Sequence, residues 1–189
     1  MMTTGTDANM GTTPVRLEHV FDEQALVDWM IGNIEGFTGP VKVEQFKGGQ
    51  SNPTYKLVTN TKSYVLRRKP PGDLLQGAHA VDREARILSA LGAHGFPVPK
   101  VYGLCEDSSI IGTSFFVMEM VEGRIFWDAT LPDVKAGDRA AYFDAMNAVI
   151  ASLHRIDPAS IGLSDFGRPG NYFERQIARW SKQYLGDAD

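Results

Sequence analysis

The chain has 189 residues, 43% of them hydrophobic, enough apolar material to cover the core of one domain or one and a half. That excludes a small peptide held together by disulfides or a metal. Nineteen Lys and Arg against 23 Asp and Glu give a formal charge of −4, so there is no global attraction to nucleic acid or anionic membrane, and any anion site must be local.

In chain order, residues 1–14 are rich in Thr, Gly and Asn, lack the basic and apolar regions of a secretory signal, and read as a disordered tail. Asp22 is placed to cap a helix in which Leu26, Trp29, Met30 and Ile34 recur at helical spacing, ended by Gly36 and then Gly39-Pro40. Residues 41–46, 54–59 and 63–68 are strand-like, with Asn60-Thr61-Lys62 suited to a hairpin turn between the last two. After a loop at Pro70-Pro71-Gly72-Asp73, a helix over 82–91 is expected, with Val81, Ala85, Leu88 and Leu91 forming a stripe that packs on the sheet. Pro97 and Pro99 lead into a strand at 101–104, and residues 114–120 supply another with mixed aromatic and aliphatic faces. The sum is five antiparallel strands and one inserted helix. Beyond Gly123 only helical spacing remains, at 139–155 and 172–184, the second segment carrying Phe173, Ile177, Trp180 and Tyr184 on one face. The longest apolar runs fall far short of the ~20 residues of a membrane span, so no membrane partner is expected. The single cysteine, Cys105, cannot form an internal disulfide, which suits a reduced, cytoplasmic chain with a buried, inert thiol.

Three features suggest chemistry. In Gly48-Gly49-Gln50-Ser51-Asn52, between two strands, paired glycines let backbone N–H groups approach an anion that side chains would hold away. The same pair also serves as an ordinary turn, and neither the Rossmann nor the Walker spacing is present; the nucleophile elbow fails because position 53 is Pro. Tyr64-Val65-Leu66-Arg67 then puts Arg67 on the third strand, where a kinase places the cation that grips the α- and β-phosphates. Arginine stays charged and presents a planar fork to two oxygens, although Arg67-Arg68-Lys69 read alone is equally a solvated strand end. Glu84, 17 residues on and near the start of the amphipathic helix, is the carboxylate that would reach across and orient Arg67; its alternative is a surface residue beside Arg83 and Arg86.

Taken together, Gly48-Gly49-Gln50-Ser51-Asn52-Pro53-Thr54-Tyr55, Tyr64-Val65-Leu66-Arg67-Arg68, Asp82-Arg83-Glu84-Ala85 and Phe116-Val117-Met118-Glu119-Met120-Val121-Glu122-Gly123 resemble, in order and spacing, the aminoglycoside phosphotransferase-like family, which shares the protein-kinase fold. Arg67-Arg68-Lys69-Pro70-Pro71-Gly72 and Phe166-Gly167-Arg168-Pro169-Gly170, with Glu174-Arg175-Gln176 and Trp180, are similar to its branch associated with acyl-CoA dehydrogenases. The resemblance implies an α+β, protein-kinase-like fold: a five-stranded antiparallel small lobe with one inserted helix over 15–123, then the hinge exit and first helices of an incomplete helical large lobe over 124–189. It also implies that Ser51 and Asn52, in the loop of Gly48 and Gly49, lie over the phosphates of ATP, that Arg67 and Glu84 form the phosphate-gripping pair, and that Glu119, Met120 and Val121 are the inter-lobe hinge offering backbone hydrogen bonds to adenine.

His154-Arg155-Ile156-Asp157 followed by Asp165-Phe166-Gly167 mimics the catalytic-loop and metal motifs of protein kinases. Position 162 is Gly where a metal-holding Asn is needed, and only eight residues separate the two aspartates, too few for an intervening strand pair. The resembled family uses a later His-Gly-Asp, Asn and Asp segment, and none occurs before Asp189. Mg²⁺ ligands are therefore expected beyond the end of this chain, no catalytic residue is assigned within it, and the chain alone is expected to lack most of its catalytic power. Met146, Val149, Ile150 and Leu153 are then expected to be partly exposed. Two functions stand: an ATP-dependent phosphotransferase of small-molecule hydroxyl groups, with a hydroxyacyl-CoA or an aminoglycoside-like acceptor, and a non-catalytic nucleotide-binding or protein-interaction module of the same fold. Nucleic-acid binding through Arg67-Arg68-Lys69 and Arg168, Arg175, Arg179 and Lys182 is disfavoured, because those helix cations are spread and the chain is acidic.

Overall fold

The computed structural model describes residues 11–48, 51–72, 79–167 and 170–186. Alternating segments pair into an antiparallel sheet of six strands, ordered β1-β2-β3-β4-β6-β5, with β1 at Thr12–Thr13, β2 at Lys42–Phe46, β3 at Thr54–Val58, β4 at Ser63–Arg68, β5 at Val101–Cys105 and β6 at Phe115–Glu119. The strand count corrects the expectation of five. The extra edge strand lies inside the segment read as a tail: Thr12 and Thr13 pair with Phe46 and Gln45, and the Thr12 hydroxyl donates to Glu44 Oε2 at 2.7 Å. Two residues are too few to show any alternation, so nothing in the pattern announces them.

The β3–β4 hairpin turns at residues 60–62 as expected. Thr59 Oγ1 accepts from the Lys62 N–H at 3.1 Å and donates to the Lys62 carbonyl at 2.7 Å, closing the turn by a side-chain to backbone bond. This sets the register Val58 opposite Ser63 through Thr54 opposite Arg67. A strand alternates its faces, so Tyr64 and Leu66 enter the larger core with Tyr55, Leu57, Phe115 and Val117, where Leu26, Met30 and Ile34 of α1 (Glu23–Asn33) cover them. Asp22 caps α1 as predicted, accepting from the Ala25 N–H at 2.9 Å. On the other face Phe116 meets Val81 and Ala85 of α2 (Val81–Ala93), flanked by Leu88, Val101 and Met118. Helix α2 ends in a Schellman motif: Phe96 N–H bonds to the Leu91 carbonyl and Gly95 N–H to Gly92, with Gly95 at φ +79°.

Two further features of the sheet bear on the site. Arg68, next to Arg67 but on the opposite face, is only 2% exposed; its guanidinium lies 5.3 Å from the Phe21 ring centre, and Nη1 has no hydrogen-bond partner among the described residues. Arg67-Arg68-Lys69 is thus not a solvated strand end. Gly103, beside a bulge in the β5–β6 ladder, is the point where Trp29 of α1 lies against the sheet: a Cβ there would stand 2.9 Å from the indole, which is itself edge-on to Phe115.

The chain forms two compact units, 1–146 and 147–189. After β6, the first unit holds a short helix-like turn at Ala136–Asp138 and the start of α4 (Arg139–His154); a one-turn helix α3 (Ser108–Ile111) precedes β6. The second holds the end of α4, a 3₁₀ turn at Pro158–Ile161 and α5 (Tyr172–Gly186). No residue of α4 is buried, and Met146, Val149, Ile150 and Leu153 are exposed as anticipated. Phe173, Ile177, Trp180 and Tyr184 lie exposed along α5. Among the described residues no helix is long and apolar enough to cross a membrane.

Gly103→Ala is expected to destabilise the chain by about 1–3 kcal/mol, because the packed indole must move to admit a methyl group; thermal unfolding reads this as a lower Tm, and an unchanged Tm shows that Trp29 has room. Burial pushes the Tyr55 phenol from 10.0 up to about 12, while its hydroxyl donates to the His19 carbonyl at 3.0 Å. The neutral form is favoured in the fold, so its stabilisation is complete below pH 10 and fades as pH rises toward 12. Titrating phenolate absorbance should show a late-ionising phase that Tyr55→Phe deletes.

Candidate functional site

The site is built on the α2 face of the sheet. Register puts Arg67 opposite Thr54, and the first turn of α2 brings Glu84 over both. Arg67 Nε donates to Glu84 Oε2 at 2.8 Å, and Nη1 donates to Thr54 Oγ1 at 3.2 Å. About a third of each charged side chain remains open, 27% for Arg67 and 33% for Glu84. The predicted pair is therefore formed, by two side chains that seventeen residues of sequence separate. With Nε and Nη1 engaged, Nη2 has no hydrogen-bond partner among the described residues. A cation so held suits a phosphate oxygen, which only accepts.

The loop before β3 contributes unequally. Ser51 is exposed, Gly48 half-buried, and Gly49 lies outside the described residues, as does Gln50. Asn52 is buried; its Oδ1 lies 2.7 Å from His79 Nδ1, and its carbonyl accepts from Thr54 Oγ1 at 3.1 Å. Sequence reasoning did not single out Thr54 or His79 for a role. The hairpin register, which sets Thr54 against Arg67, was the available signal for the first; for His79 there was none.

The expected hinge follows β6. Glu119 ends the strand opposite Tyr64, three residues along from Phe116, the partner of Arg67, hence about 10 Å down the ladder. Its N–H donates to the Lys100 carbonyl at 2.8 Å and its carboxylate accepts from the Lys100 N–H at 3.2 Å, so that amide is engaged within the protein. Met120 is half-buried. Val121 is 59% exposed, and its backbone makes no hydrogen bond among the described residues.

In the second unit, Asp157 is a cap: its carboxylate accepts from the Ala159 N–H at 3.0 Å and starts the 3₁₀ turn at Pro158–Ile161. Only that turn and loop separate it from Asp165, without the strand pair a kinase centre requires. Among the described residues no three His, Cys, Asp or Glu side chains converge to hold a metal ion. Arg168, invoked for nucleic-acid binding, lies outside the described residues, as do Pro169 and Asp73, while the burial of Arg68 withdraws it from any surface cation patch.

A sequence model of the phosphotransferase enzyme family matches residues 42–189, from the first residue of β2 onward. The chain belongs to that family. Its relatives include "Probable acyl-CoA dehydrogenase IBR3" of Arabidopsis thaliana, 51% identical over 92% of this chain and 22% of that protein. Others are "Acyl-CoA dehydrogenase family member 10" of Mus musculus, 45% identical over 92% of this chain and 16% of the relative, and "Acyl-CoA dehydrogenase family member 11" of Homo sapiens, 41% identical over 90% and 22%. A crystal structure of a "putative aminoglycoside phosphotransferase" from Ralstonia eutropha superimposes with a TM-score of 0.76 at 51% identity, covering 88% of this chain and 48% of that one. The phosphotransferase-family chain thus spans about a fifth of these curated relatives and about half of the solved structure. It is an aminoglycoside phosphotransferase-like kinase-fold domain, related to the kinase-like domain of acyl-CoA dehydrogenase-associated proteins.

The ion pair makes a direct prediction. In a cycle of Arg67→Met, Glu84→Gln and the double variant, unfolding free energies should be non-additive by about 0.5–1 kcal/mol, since the pair is partly open to solvent. Additive losses would show two side chains that act separately.

Proposed function

We propose that the chain is the nucleotide-binding part of an ATP-dependent phosphotransferase acting on hydroxyl groups of small molecules. The observation that carries this reading is the Arg67–Glu84 pair at 2.8 Å, on a kinase-like sheet, with the end of the guanidinium fork uncommitted among the described residues. In this reading Arg67 binds the α- and β-phosphate oxygens and Glu84 holds its plane. Gly48, Gly49, Ser51 and Asn52 form the loop over the phosphates. Of Glu119, Met120 and Val121, the last two have the backbone groups better suited to adenine, because the Glu119 amide is already given to Lys100. The distance of about 10 Å along the sheet from Arg67 to Glu119 matches the length of a nucleotide rather than of a bare anion.

ATP supplies the phosphoryl group; Arg67 and the loop bind and orient it. The relatives named as acyl-CoA dehydrogenases favour a hydroxyacyl-CoA as the acceptor, ahead of the aminoglycoside that the solved structure's name suggests. The ligands for Mg²⁺ are assigned to the part of those relatives that this chain does not span. A cytoplasmic setting accords with Cys105, a single thiol, buried, whose ionisation burial disfavours. A nucleotide-binding or protein-interaction module without catalysis is the other reading, with the exposed row on α5 as its contact surface.

The test is calorimetric titration of the chain with Mg-ATP beside a phosphate-transfer assay. Weak binding is expected, with a Kd of about 1 mM, lost in Arg67→Ala, and no transfer without the metal ligands. Binding indifferent to Arg67→Ala removes the nucleotide reading. Turnover that survives Arg67→Ala but disappears in Asp157→Ala or Asp165→Ala moves the active centre to the second unit.

A further inference from the structure

His79 stands two residues before the first residue of α2, outside every motif discussed so far. Its carbonyl accepts from the Val81 N–H at 2.9 Å across Ala80, whose φ of −73° and ψ of 78° make an inverse γ-turn against the helix start. His79 itself has φ +58°, a left-handed conformation that glycine and asparagine adopt more readily than histidine. The half-buried imidazole brings Nδ1 to within 2.7 Å of Oδ1 of the buried Asn52.

We infer that His79 is a positioning residue for the phosphate loop: by donating from Nδ1 to Asn52 Oδ1, it turns the amide of Asn52 so that its N–H₂ end faces away, toward the phosphates. A primary amide has one end that only accepts and one that only donates. With Oδ1 given to His79, the end left over is the donor, and Nδ2 has no partner among the described residues. A phosphate oxygen needs a donor. Had the imidazole carried its proton on Nε2, Nδ1 would accept from the amide, and the carbonyl oxygen would point outward to repel the same ligand.

The contact also closes a circuit. From Glu84 the path runs to Arg67 Nε, from Arg67 Nη1 to Thr54 Oγ1, from that hydroxyl to the Asn52 carbonyl, and from the Asn52 side chain to His79, back at the foot of the helix that carries Glu84. One end of the path lies in the first turn of α2 and the other two residues before it, so the path ties Asn52 and the arginine to the same short stretch of chain.

This inference rests on the nucleotide reading for its phosphate role, and the experiment separates the two. Long-range ¹H–¹⁵N NMR of the imidazoles in the full chain should show His79 as the Nδ1–H tautomer; the Nε2–H tautomer overturns the proposal. ATP and adenosine are then titrated against the wild type, His79→Gly, which accepts the left-handed backbone without the ring, and His79→Asn, which accepts it and keeps an amide donor near the place of Nδ1. His79→Gly should weaken ATP about tenfold, as for one hydrogen bond to a charged group, leave adenosine unchanged, and be largely restored in His79→Asn. Equal losses for ATP and adenosine would show general loosening and overturn the proposal, as would wild-type affinity for ATP in His79→Gly. A wild-type chain that binds no ATP removes the nucleotide reading and the phosphate role with it, and the tautomer then decides whether His79 orients Asn52.

Discussion

A carboxylate on one element holds a cation on another, and the remainder of the site is arranged around that contact. Glu84 belongs to α2, Arg67 to β4, and their 2.8 Å bond ties the helix to the sheet on the side away from α1. Among the described residues the apolar cluster on that side is the smaller: Val81, Ala85 and Phe116, against twelve buried residues in the cluster with α1. Hydrophobic burial is strong but non-directional, so a small cluster leaves a helix freer to slide and rotate than a large one does. Directional polar bonds at residues 67, 54, 52 and 79 supply the alignment that packing does not.

How much of this was legible in the sequence depended on the length scale of the signal. Strands of five or six residues with a buried face, such as β4, show their period and were placed within a residue of their ends. Helix α2 betrayed itself by its stripe, and Glu84 by standing at the start of that stripe. Strand β1 has only two residues and α3 one turn, so neither accumulates a period. His79 escaped for a different reason. Its placement depends on a left-handed backbone angle and on a contact 27 residues away, and a lone loop histidine announces neither.

Arg67 and Arg68 show what an adjacent pair conceals. Read as a run with Lys69 they suggest a basic surface; read with a strand's period of two they must part, one to each face. Arg67 meets Glu84 and Thr54 in a half-open setting, while Arg68 lies among Phe21 and Tyr55 with desolvation opposing its charge. A buried guanidinium with no carboxylate beside it is costly; among the described residues Arg68 has none, and its contacts are the Phe21 ring and a long bond from Nε to the Lys69 carbonyl at 3.4 Å. The same residue type thus forms an ion pair at one position and is buried against its own charge at the next.

The exposed row on α5 bears on how the molecule behaves in a tube. Ile177, Trp180 and Tyr184 present one apolar stripe, each more than half open, and net charge of one sign opposes the approach of such stripes on separate molecules. With a pI of about 5.6, that repulsion fades in mildly acidic buffer and grows above neutrality. Association through the exposed apolar rows of α4 and α5 is therefore expected to grow toward the isoelectric point, so that turbidity there rises while the sheet stays folded.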